Sequence, residues 1–285
     1  LRLSYFGDNF FGSQMQPGLR TVEGEVIAAC KHLGIFKDWR EAGFVAAGRT
    51  DRGVHARCQV CSFSTDKPDR INRALNRILP EDLWCTAWTE VPDGFHPRYS
   101  AISRTYRYYF TPVPGDIDLM NEAAEVFIGQ HDFSLFARTS DRNPVREILD
   151  ARVFEDGLFA VFEVTGKSFL RNMVRGMATA VERVGRGEID SEDLLRFLGG
   201  DSGWRIPAAP SEGLLLWEIE YEIPFAPLPI DEKSHRYRAR WRHRYHTLMA
   251  EVSALLAPEE GMCDRSSPAG CTGRSATGLG NWRQK

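Results

Sequence analysis

Two strand-like segments joined by a three-residue turn signal constrain the fold of this chain more than any other feature of its sequence. Residues 145–154 and residues 158–167 are rich in Val, Ile and Phe, which are common in strands. Between them stands Glu155-Asp156-Gly157, and Asp-Gly is a strong hairpin signal. Because a hairpin pairs its strands antiparallel, we do not expect a doubly wound parallel sheet.

Helical and strand-like segments are interleaved along the first 222 residues. Further strands are predicted at residues 1–5, 43–47, 56–64, 83–91, 99–111 and 213–222. Helices are predicted where apolar residues recur at helical spacing, with Thr21 as the first N-cap, around residues 22–33, 71–79, 120–128, 169–184 and 191–198. This order predicts an α/β (α+β) fold on a mixed, largely antiparallel sheet with flanking helices.

The composition excludes some classes of protein, but it does not identify a binding partner. Charged residues interrupt every apolar run, so no membrane span is predicted, and residues 1–5 begin a strand pattern instead of a signal-peptide core. We therefore expect a soluble, cytoplasmic protein, with a few residues preceding Leu1 because an initiator Met is absent. The net charge of −3 does not indicate a nucleic-acid partner, so any basic binding surface must come from the local distribution of charge.

The chain has six cysteines, and one pair, Cys58 and Cys61, has the C-x-x-C spacing of half a zinc site or of a redox pair. Both residues fall in the strand predicted at 56–64. Residues three apart in a strand point to opposite faces, so the two sulfurs are poorly placed to share a metal. Cys263 and Cys271, in a low-complexity segment, do not complete a site. We expect structural cysteines and no metal.

The segment with the most chemical content is the short loop of residues 48–55, between two predicted strands. Gly48 and Gly53 bracket Asp51 in this loop, and glycine permits backbone conformations that other residues resist. A loop of this kind can fix one carboxylate at the end of a strand while leaving one side of it exposed. A carboxylate that is held in this way can act as a nucleophile.

The neighbours of Asp51 leave other interpretations open. Arg49 and Arg52 are expected to face the carboxylate with positive charge. Asp51 could instead be a turn residue that stabilises the loop through its own side chain. It could also form a metal pair with His55, although two ligands four apart in a loop are a weak signal and no further cluster supports it.

Residues 48–56, GRTDRGVHA, closely resemble the G-R-T-D-x-G-V-H motif of the tRNA pseudouridine synthase A (TruA) family. Four other segments resemble elements of the same family in the same order: residues 11–16 with 21–23, residues 95–101 with 106–108, Phe169 with residues 172–175, and Gly213-Leu214. The resemblance extends from Leu1 to about Glu222. One departure is Asn172, which stands where many members of the family have His, and we expect it to matter little because a polar side chain is kept.

The resemblance implies a role for four residues. Asp51 corresponds to the nucleophilic aspartate, Tyr106 to the tyrosine that contacts the target base, and Arg175 to the arginine that pairs with the aspartate. Arg49 corresponds to the arginine implicated in handling the flipped nucleotide. If this is right, the Asp51 carboxylate should lie within salt-bridge distance of Arg175, with Tyr106 facing the same cleft.

Other residues of these motifs are predicted to be structural or solvated. We expect Tyr108 to lie in the core, and His55 and His96 to make structural hydrogen bonds. Arg171 is four residues before Arg175 on the predicted helix and is interpreted as part of a solvated basic stripe.

By resemblance, the chain is an isomerase that converts uridine to pseudouridine in the anticodon stem-loop of tRNA, around positions 38–40, without a metal or an organic cofactor. The family implies a two-lobed fold and a homodimer whose cleft holds the tRNA. Two alternatives are a non-catalytic RNA-binding protein of the same fold and a metal-dependent hydrolase using Asp51 and His55. Whether the aspartate attacks C1′ of the ribose or C6 of the base stays open.

We predict an N-terminal lobe at residues 1–97, a C-terminal lobe at 98–223, a linker and basic amphipathic helix at 224–257, and a disordered tail at 258–285. Between Lys233 and His246 there are six Lys or Arg residues and no acid, with aromatic residues interleaved at helical spacing. This helix can bind the RNA backbone through its basic residues, pack its aromatic residues against the rest of the protein, or do both. Because every motif lies before Glu222, we expect a chain without residues 232–285 to fold and to stay active.

Overall fold

The computed structural model describes residues 1–138, 143–199 and 205–256, so the predicted disordered tail at 258–285 lies outside the described residues. The chain divides into one unit of residues Leu1–Ala239 and a second of Arg240–Lys285, of which the described part is helical. None of the helices in these ranges has an apolar stretch long enough to span a bilayer.

Ten strands of the described residues form one sheet. They are β1 (Arg2–Tyr5), β2 (Val45–Ala46), β3 (His55–Ser62), β4 (Leu83–Trp88), β5 (Ser103–Phe110), β6 (Gly129–Asp132), β7 (Val145–Asp156), β8 (Phe159–Gly166), β9 (Leu214–Glu220) and β10 (Ala226–Pro227). The order is β10-β4-β1-β3-β9-β5-β8-β7-β6, with β2 paired to β3. The pair β3–β9 is parallel and the other pairs are antiparallel, which confirms the predicted mixed, largely antiparallel sheet.

Five helices of the described residues accompany the sheet in the first unit: α1 (Val22–His32), α2 (Pro68–Ile78), α3 (Ile117–Glu125), α4 (Met173–Gly185) and α5 (Ser191–Leu198). A sixth helix, α6 (Glu232–Leu256), begins in the first unit and continues into the second. Thr21 caps α1 as predicted, since its side chain accepts from the Gly24 N–H. The predicted start of α4 at Phe169 was wrong by four residues. Asn172 has a φ of 64°, in the left-handed region, so the chain turns sharply there before the helix begins.

Two hydrophobic cores give the fold its two lobes. In the first, α1 and α2 cover β1, β3 and β4, and in the second, α3, α4 and α5 cover β5, β7 and β8. Tyr106 on β5 packs against both cores. A side chain at this position is held from two sides, so the middle of β5 is a rigid place on which to build a site. The boundary between the lobes at residues 97 and 98 stays a prediction.

Residues 226–238, which we call the C-terminal strap, are attached to the N-terminal lobe. β10 adds an edge strand to β4, inside the segment predicted as a linker, and the Leu228 N–H donates to the Thr86 carbonyl. The Lys233 ammonium donates to the Leu79 carbonyl at 2.7 Å, at the end of α2. Tyr237 is buried, with its ring 6.1 Å from that of Phe6. These contacts argue against the expectation that residues from 232 onward are dispensable for folding, and the stability of a truncated chain stays a prediction.

Candidate active site

The loop that carries Asp51 enters the sheet at the junction of β3 and β9, where His55 pairs with Leu215. Thr50, the residue before the aspartate, is fixed by a pair of reciprocal hydrogen bonds with Ser13. The Thr50 N–H donates to the Ser13 hydroxyl at 2.8 Å, and the Ser13 N–H donates to the Thr50 carbonyl at 3.0 Å. The Tyr5 and Thr50 hydroxyls are 2.8 Å apart. The backbone next to Asp51 is therefore anchored to the N-terminal segment.

The two glycines of this loop differ in their roles. Gly53 has a φ of 84°, and a Cβ there would lie 2.8 Å from the Ser211 hydroxyl oxygen, so both its conformation and its surroundings require glycine. Gly48 faces open space and lacks a positive φ, so the expectation that both glycines supply special backbone geometry was half right.

Asp51 and Arg175 meet although they are 124 positions apart in the sequence. Arg175 Nη1 lies 3.5 Å from Asp51 Oδ2, which confirms the predicted salt-bridge distance. The arginine is held from behind, because its Nε donates to the Ala209 carbonyl at 2.6 Å and its Nη1 lies 3.5 Å from Asn172 Oδ1. Asn172, the departure from the family pattern, thus contacts the arginine that faces the aspartate.

Arg171 is a second cation at the same carboxylate, and the interpretation of it as part of a solvated stripe missed this. Its Nε lies 3.6 Å from Asp51 Oδ1, the oxygen that Arg175 does not face. The reason is the left-handed residue Asn172, which turns the backbone just after Arg171 and places this side chain at the loop. Helical i, i+4 spacing does not apply, because Arg171 precedes α4.

The two arginines beside Asp51 in sequence point to other partners. The Arg52 guanidinium lies 4.5 Å from the centre of the Phe11 ring. The positive charge of Arg49 influences the Glu23 carboxyl. Burial raises the pKa of this carboxyl, whereas the hydrogen bond from the Met15 N–H and the charge of Arg49 lower it in part. Among the described residues, the cations within ion-pair distance of Asp51 are those of α4 and the turn before it.

Tyr106 is half-buried and lies close enough to Asp51 to be affected by the charge of its carboxylate. Its ring packs edge-on against Phe169, with centroids 5.1 Å apart. Burial raises the pKa of the Tyr106 hydroxyl, the Arg104 cation lowers it, and the negative charge of Asp51 raises it again. The phenol is therefore kept in its neutral form, with a proton to donate, next to Asp51.

Arg104 is a buried residue of this region that the sequence did not single out. Its guanidinium donates to the carbonyls of Lys167 and Arg98, each at 2.6 Å, so it ties β5 to two neighbouring loops. Burial lowers the pKa of Arg104. Its position two residues before Tyr106 puts both side chains on one face of β5, and that shared face was the available signal.

The histidines of these motifs have backbone partners, as predicted. His55 Nδ1 accepts from the Gly7 N–H at 3.0 Å, and the same ring hydrogen-bonds to the backbone of Glu212. Burial lowers the pKa of His55, against the nearby charges of Asp8 and Glu212. His96 Nδ1 accepts from the Arg98 N–H at 3.1 Å. With its ring engaged in this way, His55 is poorly available as a metal ligand beside Asp51.

Comparison with known proteins decides which family this arrangement belongs to. A sequence profile described as tRNA pseudouridine synthase matches residues 3–100 and 123–222, which include Asp51 and Arg175, whereas Tyr106 lies between the two matched ranges. The chain belongs to the tRNA pseudouridine synthase family. It is therefore an isomerase, and the family match ends at residue 222, before the C-terminal strap.

Several relatives extend along most of this enzyme. It is 66% identical over 258 residues to the tRNA pseudouridine synthase A of Methanoculleus marisnigri, an alignment covering 90% of this chain and 95% of the relative. The corresponding protein of Methanosphaerula palustris is 50% identical, covering 82% of this chain and 83% of the relative. That of Thermococcus kodakarensis is 46% identical, covering 78% and 84%. A solved Cbf5-Nop10-Gar1 complex matches with 16% identity and a TM-score of 0.30, over 64% of this chain and 54% of the other.

Proposed function

We propose that this isomerase converts uridine to pseudouridine in the anticodon stem-loop of tRNA, around positions 38–40, with Asp51 as the nucleophile. The observation that carries the proposal is the pair of Asp51 and Arg175, which no local sequence rule would bring together. Family membership and the relatives named tRNA pseudouridine synthase A support the reaction and the substrate.

The chemistry requires one glycosidic bond to break and one carbon–carbon bond to form. The N1–C1′ bond of uridine breaks, the base rotates, and C5 bonds to C1′. The proton lost from C5 is balanced by one gained at N1, so the product is an isomer and no electrons are exchanged. Asp51 supplies a transient covalent bond, at C1′ of the ribose or at C6 of the base. Arg175 keeps the carboxylate oriented, since a planar guanidinium fixes direction in a way that lysine does not.

The substrate must reach this carboxylate as a flipped nucleotide, because a base inside a stem is stacked and out of reach. Tyr106 receives the flipped base, supported from behind by Phe169, and its neutral hydroxyl can hydrogen-bond to the polar edge of uracil. Arg49 lies in the same loop as Asp51 and is proposed to stabilise the flipped state.

The homodimer implied by the family resemblance and the cytoplasmic location expected from the sequence composition stay predictions. The alternative of a non-catalytic RNA-binding protein is disfavoured by one observation. A protein that had kept only the fold would have no need of an aspartate, two arginines and a neutral tyrosine placed around one point.

Treating unmodified tRNA transcripts with the enzyme should introduce pseudouridine at uridines around positions 38–40, and nowhere else in the anticodon arm. Carbodiimide modification followed by primer extension maps the product base by base. A transcript with cytidine at those positions is the matched control. Modification confined to another arm of the tRNA would reject the proposed target, and no modification of any transcript would reject the reaction.

Replacing Tyr106 with Phe should lower turnover by about a hundredfold while the melting temperature changes little. The ring and its packing on Phe169 are kept, and only the hydroxyl beside Asp51 is lost. Tyr108→Phe is the matched control, because Tyr108 lies on the same face of β5 and is buried, with its pKa raised by burial to about 12. Single-turnover rates and thermal melts separate the two effects, and equal rates for both variants would remove the hydroxyl from the mechanism.

A further inference from the structure

The Asp51 carboxylate is bracketed by two cations of different character. Arg175 is 18% exposed and its guanidinium is held by the Ala209 carbonyl and by Asn172, whereas the Arg171 side chain is 64% exposed. One carboxylate and two arginines leave an excess of one positive charge at the place where a nucleotide must enter. Arg171 is the arginine that can offer this charge to a nucleotide, because hydrogen bonds fix Arg175 in the wall of the site.

From these contacts, and resting on the proposed function, we propose that Arg171 binds the phosphate of the target nucleotide and leaves Asp51 Oδ1 when the nucleotide enters. In the free enzyme the Arg171 guanidinium covers this oxygen at 3.6 Å. An exposed ion pair of that length is weak, so a phosphate can displace it.

The backbone of Arg171 is held in place, and its side chain can rotate. Its carbonyl accepts from the Arg138 N–H at 2.9 Å, and the next residue is the left-handed Asn172 that starts α4. The movement therefore needs rotation of the side chain alone. Arginine suits both partners, because its planar fork binds carboxylate and phosphate in the same bidentate manner.

The exchange has two consequences for the reaction. Arg171 gains a phosphate contact, which positions the nucleotide without reading its base. Oδ1 of Asp51 becomes uncovered only when a nucleotide is present, while Oδ2 stays with Arg175. Binding of the RNA backbone and availability of the nucleophilic oxygen are thereby coupled through one side chain.

The test is the salt dependence of tRNA binding by Arg171→Ala and Arg171→Lys in the full-length protein. Losing one phosphate contact should make the slope of log K against log salt shallower by about 0.7–0.9, and Lys should restore most of it. Arg196→Ala is the matched control: its side chain is also 64% exposed and also paired with an aspartate, Asp193, on α5. This control should keep the wild-type slope.

An unchanged slope for Arg171→Ala, with lower turnover, would overturn the proposal and leave Arg171 as a residue that only orients Asp51. A shallower slope for Arg196→Ala as well would overturn it too, because the effect would then be one of overall charge. Failure of the proposed function looks different: the wild-type protein itself would form no pseudouridine in tRNA. Melting temperatures near that of the wild type show that the variants are folded.

Discussion

Asp51→Asn should abolish pseudouridine formation, with a loss of at least about a thousandfold in turnover. The amide keeps the size of the side chain and can still lie between Arg171 and Arg175, but it cannot form the covalent bond to the substrate. Affinity for tRNA should stay within several-fold of the wild type, because phosphate contacts made elsewhere dominate binding.

Mapping of pseudouridine after single-turnover incubation measures the loss, and filter binding measures the affinity. Asp150→Asn is the control, since Asp150 is an exposed aspartate on β7 and should show full activity. Appreciable product from the Asp51 variant would remove this residue as the nucleophile, even if tRNA binding were unchanged.

A chain ending at Asp231 should be much less stable than one ending at Ala239, although they differ by eight residues, 232 to 239. The shorter chain loses the Lys233 cap of α2 and uncovers Phe6 and Trp84, which Tyr237 and Arg238 contact. Losing one buried aromatic side chain costs about 3–5 kcal/mol, which corresponds to roughly 10 °C in a domain of this size.

Thermal melts of the two truncated chains test this expectation directly. Tyr237→Ala in the full chain should reproduce most of the loss, whereas Tyr99→Ala, at a side chain 77% exposed, should melt like the wild type. Equal melting temperatures for the two truncated chains would show that residues 232–239 of the protein add no stability. The chain ending at Ala239 also lacks the basic residues from Arg240 onward, so a shallower salt slope for its tRNA binding would support the predicted RNA grip.

Features set by local periodicity were predictable from the sequence. The hairpin of β7 and β8, the cap of α1 by Thr21, and α5 at residues 191–198 all agree with the structure. Each depends on a repeat or a turn within about ten residues, where alternation and capping chemistry act directly.

Features that depend on distant contacts were harder to predict. β10 contains Pro227, and a proline argues against a strand except at an edge, which is where it lies. The charges around Asp51 were assigned to its sequence neighbours Arg49 and Arg52, but the cations beside it come from the other lobe. The family motif predicted Arg175 there. The position of the Arg171 side chain depends on the left-handed backbone at Asn172, and the presence of an asparagine does not by itself predict that conformation.

The pairing of β3 with β9 and of β4 with β10 has a consequence for how the chain folds as it is synthesised. Two of the strands made first, β3 and β4, acquire their last partners, β9 and β10, only when residues 214–227 have been translated. Until then the outer edge of β4 is open, and open strand edges invite pairing with other chains. The N-terminal lobe is therefore expected to reach its native state late, after the C-terminal lobe that follows it on the ribosome. Chains released early would be the ones prone to aggregate.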